Sequence, residues 1–303
     1  MTTYASALLA ARDAAASQHY PQATLYLVAT PIGNLADISL RALHVLQMVD
    51  AVACEDTRHT QTLLRAYGIE RPPSQLLALH QHNEREATEL VVQRLRQGQR
   101  VAYVSDAGTP GISDPGARLV AELHAQALTV VPIPGASSVT AAVSVAGLDV
   151  GDGDSFVFAG FLPTRSTELA ARIETLRAEA RAIVLLEAPH RIDTSAAALA
   201  ALGDRRLTVA RELTKQFEQI CTLRAADFGA WLAVDAHRSR GEFVLVLHPE
   251  PSPNTNDDAL RVLQLLLAEL PLKTAVKLAV AITGAPRNTL YDAALGLRVA
   301  KGG

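Results

Sequence analysis

The sequence predicts an α/β protein built as two α/β domains facing a common cleft, followed by a small helical, helix-turn-helix-like module. Three observations carry that expectation. Through residues 24–148, short apolar runs alternate with stretches whose apolar residues recur at helical spacing, the pattern of repeated strand–helix units. Glycine-bearing loops follow three of these runs, at 30–37, 105–116 and 134–138. Beyond residue 154 more strand appears, as in a mixed sheet, and beyond residue 258 only helical periodicity remains.

Composition bounds the function. A chain of 303 residues with 49% hydrophobic residues fits about two domains with sizeable cores. Its formal charge of −3 excludes a polycation, so any nucleic-acid contact must rest on a local basic patch or on the shape of a folded RNA. Cys54 and Cys221 are the only cysteines, which supports neither a disulfide scaffold nor a thiolate zinc cluster and fits a reducing cytosol. No apolar run reaches the roughly 18 residues of a membrane span. No basic segment opens the chain, whose first charge is Arg12, and a cytoplasmic location is expected.

Residues 1–23 are Ala-rich, mildly helical up to Pro21, and read as an extension ahead of the fold. A strand over 25–29 ends in Thr30-Pro31-Ile32-Gly33-Asn34, and Asp37 is the expected N-cap of a helix over 38–48. A second strand, 51–54, delivers Glu55-Asp56-Thr57-Arg58 ahead of a helix through Leu63, Leu64 and Tyr67. A short strand at 76–79 leads into His80-Gln81-His82-Asn83-Glu84 and a charged helix over 84–96. His80 and His82 share a strand face, but no third ligand stands at a recognisable spacing, so no metal is expected.

The strand at 101–104 opens the most informative stretch, residues 105–116, before a helix over 117–126. Three glycines and two prolines in twelve residues cannot continue either element, and the glycines let bare backbone approach a ligand. Ligands of open α/β sheets bind at the carboxyl ends of strands, which makes this loop a candidate cradle. A strand at 129–133 then reaches Pro134-Gly135-Ala136-Ser137-Ser138 and a helix over 139–145, whose opening serines sit where free N–H groups meet a ligand's polar edge.

Asp149, Asp152 and Asp154 around Gly151 and Gly153 mark a boundary, so the domains are expected at 24–148 and 155–248. The second begins with a strand at 155–159, the loop Gly160-Phe161-Leu162-Pro163 and a charged helix through Arg181. A strand at 182–186 ends in Glu187-Ala188-Pro189-His190-Arg191, and one at 207–211 runs into Glu212-Leu213-Thr214-Lys215. Strands at 219–223 and 242–247 follow, then a polar linker at 249–258. In 259–303, helices over 259–270, 273–283 and 287–297 flank the turn Gly284-Ala285-Pro286, with six Lys/Arg against two acids. That sign points to nucleic acid; a plain helical cap is the alternative.

Together the motifs at 25–43, 55–58, 80–84, 105–116, 134–138, 161–163, 187–191, 211–215 and 241–243 make the chain resemble the tetrapyrrole-methylase-type S-adenosylmethionine-dependent methyltransferases, and within them a ribosomal RNA branch. Tetrapyrrole enzymes carry a Gly-x-Gly-Pro-Gly-Asp-like first loop and a Gly-Gly-Asp-Pro second loop. Here those positions read Ala29-Thr30-Pro31-Ile32-Gly33-Asn34 and Ala107-Gly108-Thr109-Pro110, departures that argue against porphyrinoid chemistry.

The resemblance implies S-adenosylmethionine in the cleft of a homodimer, against Thr30, Pro31, Gly108, Thr109, Ile112, Ser137 and Ser138, with backbone of Leu162, Glu187, Leu213 and Phe243 as the far wall. It implies a 2′-O-methylated cytidine in the decoding region of small-subunit RNA, the partner being that RNA or the assembled subunit. Catalysis is expected from Glu187 as general base and Arg191 as phosphate clamp, with Glu55 and Asp106 as rival bases and a structural Glu187–Arg191 salt bridge as the other reading. Arg58, His190, Lys215 and Arg287 are the expected RNA contacts. A tetrapyrrole C-methyltransferase and a non-catalytic ribosome assembly factor are the alternatives.

Overall fold

A computed structural model describes residues 4, 6–80, 82–113, 116–148, 155–250 and 255–301. The boundary expected at 149–154, residues 251–254 of the linker and Asp114-Pro115 of the long loop lie outside the described residues.

A first helix, α1 (Ser6–Ala15), precedes five strand–helix units. They are β1 (Thr24–Val28) with α2 (Leu40–Met48), β2 (Ala51–Cys54) with α3 (Thr57–Ala66), β3 (Leu76–Ala78) with α4 (Glu84–Arg96), β4 (Val101–Val104) with α5 (Gly116–Ala125), and β5 (Thr129–Ile133) with α6 (Ser138–Val145). The strands form one parallel sheet in the order β3-β2-β4-β1-β5. Side chains alternate across it, as a two-residue period requires. Tyr26, Val28, Val52, Cys54, Ala102 and Val104 pack on α2 and α3, whereas Leu25, Ala51, Ala53, Val101 and Tyr103 pack on α4 and α5. The helices that follow the neighbouring strands β1 and β4 therefore leave to opposite faces. That arrangement is the switch point at which open α/β sheets form a crevice.

Two expectations are corrected here. Asp37 caps nothing: Asn34 caps a short 3-10 turn over Leu35–Asp37, and the Ser39 hydroxyl accepts from the Ala42 N–H at 3.1 Å to start α2 two residues late. The N-terminal segment is no loose extension either. Ala11 is fully buried in the core beside α2, and Tyr20 lies between Tyr26 and His44 at ring distances of 6.2 and 5.0 Å.

The second half contains β6 (Phe156–Phe161), α7 (Ser166–Ala178), β7 (Ala182–Glu187), α8 (Ile192–Leu199), β8 (Arg206–Arg211), β9 (Gln219–Arg224), α9 (Phe228–Ala233) and β10 (Phe243–Leu247). Its sheet runs β6-β7-β10-β8-β9, and only β6–β7 is parallel. One face is covered by α7, α8 and α9. The other takes Val139, Ala142 and Ala146 from α6 and its end, together with Ile32 from the loop after β1. Thus a helix that leaves the first sheet seals the second, and the cleft lies where they meet. Strand β6 also continues through Gly160-Phe161, expected as loop: a bulge after Phe158 and the positive φ of Gly160 (+66°) let it resume pairing with β7.

The C-terminal helices α10 (Thr255–Glu269), α11 (Leu272–Thr283) and α12 (Arg287–Lys301) share a core of their own around Leu263, Val276, Ala279, Leu290 and Ala294. Gly284, at φ +71°, ends α11 by donating its N–H to the Val280 carbonyl at 2.9 Å. Among the described residues no helix is long and apolar enough to cross a membrane.

One deeply buried charge of the second half is Arg205, 2% exposed. Its guanidinium donates to the carbonyls of His248 (2.9 Å), Leu176 (2.7 Å) and Arg181 (3.0 Å), so it closes the end of α7 against the sheet. Replacing it by Met keeps the stem but strands three carbonyls, two of them in buried hydrogen bonds. Urea unfolding of Arg205→Met is expected to show a loss of about 3 kcal/mol, with ligand binding in the cleft unchanged.

Candidate active site between the two halves

The loops after β1, β4 and β5 are laced together by their own polar groups. Thr30 and Gly108 form an isolated two-bond bridge, Thr30 N–H to the Gly108 carbonyl at 2.9 Å and Gly108 N–H to the Thr30 carbonyl at 3.0 Å. The Thr30 hydroxyl donates to the Ser105 carbonyl at 3.2 Å, and the Thr109 hydroxyl to the Ala136 carbonyl at 3.0 Å. At Gly135 an added Cβ would lie 2.9 Å from the Ala29 Cβ, so the third loop presses on the end of β1. The backbone at Gly108 turns through φ +81°, which only glycine adopts without strain.

Above this lacing lies a cavity of about 380 Å³, within the size range of small-molecule sites. The first half lines it with Ile32, Glu55, residues 105–109, Ile112, Ser113 and the start of α6 at Ser137, Ser138 and Val139. The second half adds Phe161, the end of β7 with Ala188 and Pro189, and Ala210, Leu213, Glu242, Phe243 and Val244. No side chain caps the first turn of α6, whose N–H groups remain available to a ligand.

Eight of the residues expected to hold a cofactor (Gly108, Thr109, Ile112, Ser137, Ser138, Glu187, Leu213 and Phe243) are on this wall. Thr30, Pro31 and Leu162 are buried behind it and act as supports. Sequence reasoning missed Ile32, Val139, Phe161, Ala210 and Val244 as lining, because an apolar residue on a strand or loop carries no mark of which cavity it faces.

The expected base and clamp are found with partners, in the salt bridge that is the other reading of this pair. The Glu187 side chain has no solvent exposure. Its carboxylate accepts from the Ala188 N–H at 2.9 Å and from the Ser195 hydroxyl, and pairs with Arg191 Nε at 3.4 Å. Arg191 in turn donates to the Leu162 carbonyl. The pair bolts β6, β7 and α8 together and presents neither a free base nor a free guanidinium.

Lys215 is committed as well: its ammonium lies 2.8 Å from Glu212 and 3.0 Å from Glu242, and its stem crosses Gly33, where an added Cβ would clash with Lys215 Cγ. Burial works against both charges, yet their hydrogen bonds prevail, raising the Lys215 pKa and lowering that of Glu212. Arg58, exposed, binds Asp56 at 3.0 Å, and those hydrogen bonds hold the Asp56 carboxyl down to about 2. His190 is exposed next to cavity-lining Pro189, and Arg287 opens α12 on the C-terminal module. The His80 and His82 rings lie edge to face, 6.0 Å apart. Cys54 is buried, and burial pushes its thiol up to about 11, which removes it as a nucleophile. The rival carboxylates, Glu55 after β2 and Asp106 after β4, both line the cavity from adjacent strands.

Residues 24–228 match the family model described as Tetrapyrrole (Corrin/Porphyrin) Methylases, and residues 253–298 match the one described as RsmI C-terminal HTH domain. The chain is 48% identical over 278 residues to the ribosomal RNA small subunit methyltransferase I of Pseudomonas aeruginosa, covering 90% of this chain and 96% of that protein. It is 45% identical to the protein of the same name from Escherichia coli O157:H7, with 90% and 95% covered. Among solved structures, a cobalt precorrin-4 methyltransferase superposes with a TM-score of 0.52 at 18% identity, over 74% of this chain and 94% of that one, a likeness of fold.

The geometry of Glu187 makes a stability prediction. Glu187→Ala leaves Arg191 half-buried without its carboxylate and the Ser195 hydroxyl without an acceptor. Denaturant unfolding is expected to show a loss of about 3 kcal/mol, whereas the single-turnover rate of the molecules that remain folded should change little.

Proposed function

This chain belongs to the tetrapyrrole methylase family, and from that premise we propose that it is the S-adenosylmethionine-dependent enzyme that methylates the ribose 2′-oxygen of a cytidine in the decoding region of 16S ribosomal RNA. The observation that carries the reading is the pairing of two parts in one chain. A methylase cleft is joined to a three-helix module, in a sequence that matches ribosomal RNA small subunit methyltransferases along 90% of its length. The first loop departs from the tetrapyrrole enzymes' pattern at Ala29, Pro31, Ile32 and Asn34 and the second at Ala107 and Thr109, which weighs against porphyrinoid substrates. A homodimer acting in the cytoplasm, where small subunits are assembled, completes the proposal.

The cleft is suited to the cofactor on its own geometry. Bare backbone at Gly108 leaves room that a Cβ would take, 3.3 Å from Ile32 Cγ2 and 3.7 Å from the Ala136 carbonyl. Thr109, Ser137 and Ser138 offer hydroxyl and N–H groups on one wall, and Leu213, Phe243 and Val244 offer apolar surface on the other. When bound, S-adenosylmethionine supplies an already activated sulfonium methyl.

What remains for the protein is alignment and removal of one proton. Holding the ribose oxygen in line supplies much of the rate. Glu55 and Asp106 are the carboxylates that the first-half wall offers as acceptor of the 2′-hydroxyl proton. Six Lys/Arg against two acids in residues 259–303 give the module its attraction for phosphates.

Three measurements test this. Mapping 2′-O-methylation on small-subunit RNA from cells with and without the protein is expected to show one cytidine whose modification disappears. Gly108→Val places a β-branched side chain at φ +81° and in the cofactor's space. Calorimetry should detect no S-adenosylmethionine binding while the circular dichroism stays native. Replacing Lys273, Lys277 and Arg287 by Gln should weaken subunit binding and lower the slope of log K against log salt by about 1 for each phosphate no longer neutralised, with cofactor affinity unchanged.

A further inference from the structure

We propose that Phe161 is the platform on which the target nucleobase stacks when its ribose enters the cleft, an inference that rests on the ribose-methylating function above. The 2′-oxygen and the base are carried on adjacent ribose carbons. A ribose presented to the cavity therefore brings its base against the rim. Phe161 is 49% exposed although it lines the cavity, and the other aromatic on that wall, Phe243, is 2% exposed. An exposed aromatic face is costly to leave in water and is the surface on which extruded bases stack.

The placement is built into the strand. Between Phe158 and Gly160 the pairing of β6 with β7 shifts register, and Gly160 sits at φ +66° with open space where a Cβ would be. Glycine is needed there for the turn of the backbone and not for lack of room. Bulges of this kind re-aim a side chain beside an active site. Both flanks are then fixed: Arg172 donates to the Ala159 carbonyl at 3.3 Å, and Arg191, anchored by the sealed Glu187, donates to the Leu162 carbonyl. The platform thus stands on a rigid support. On the first-half wall, Ile112 is 46% exposed and supplies an apolar counterpart for the second face of the base.

The test uses the full-length protein with substitutions Phe161→Ala, Phe161→Leu, Phe161→Tyr and Phe161→Trp. Methyl transfer is assayed on small subunits that lack the modification, alongside S-adenosylmethionine calorimetry and melting temperature. Phe161→Ala and Phe161→Leu are expected to raise the KM for the subunit by about 10- to 100-fold, with Tyr and Trp near the wild type and cofactor Kd within about twofold throughout. Leu keeps apolar bulk and loses the π face, so it separates stacking from mere packing. An unchanged KM in the Ala variant overturns the proposal. So does a parallel loss of cofactor affinity, which would make Phe161 part of the cofactor wall. A wild-type protein that methylates no small-subunit RNA would overturn the ribose-methylating function itself and stacking with it.

Discussion

Two backbone hydrogen bonds between Thr30 and Gly108 set where this protein can do chemistry. Strands β1 and β4 are neighbours, but their helices pack on opposite faces of the sheet, so the loops that leave them would otherwise splay apart. The bridge closes the back of that split. It satisfies two donors and two acceptors that would be buried without partners, and it requires the positive φ of Gly108. The Thr109 hydroxyl then ties the loop after β5 to the same unit through the Ala136 carbonyl. Three loops become one floor, and their spare polar groups face the cavity.

The charged residues around that floor are mostly occupied with holding it in place. Glu187 is sealed against Arg191 and Ser195, and Lys215 lies between Glu212 and Glu242 with its stem on Gly33. The second tie crosses the cleft, joining a loop of the second half to the loop after β1. A buried ion pair gives little net stability compared with an apolar equivalent, but removing one member is costly. Such ties therefore hold geometry more than they lower free energy. Near the cavity this matters, because the alignment of a ribose oxygen with a methyl donor that the proposed function requires tolerates little slack.

The alternation of strands and helices was legible in the sequence because its period changes from two to 3.6 residues at Gly- and Pro-bearing loops. The stretch at 105–116 announced itself for the same reason. What escaped depends on tertiary partners. Asp37 and Ser39 are both ordinary capping residues, and only the 3-10 turn capped by Asn34 decides between them. A carboxylate at the end of a strand reads alike whether it lines a cavity, as with Glu55, or pairs with a guanidinium, as with Glu187. The register shift in β6 leaves only Gly160 as a trace, and a single glycine marks turns, bulges and close approaches equally.

Charge is divided unevenly between the module and the rest of the chain. Residues 259–303 carry six Lys/Arg against two acids, whereas the other 258 residues carry 22 Lys/Arg against 29 Asp/Glu. A polyanion approaching the protein is thus drawn to one end and repelled, on average, by the body that holds the cleft. With screening over roughly 8 Å at physiological salt, this bias acts at short range and orients the polyanion more than it captures it from afar. Under the proposed function, a base that enters the cleft leaves its stack, and the unstacking cost has to be met inside. Phosphate contacts on the module cannot meet it, since they are the same for every nucleotide. Under the same proposal the apolar rim and the rigid loop floor are the parts left to do so, with affinity in the module and selection in the cleft.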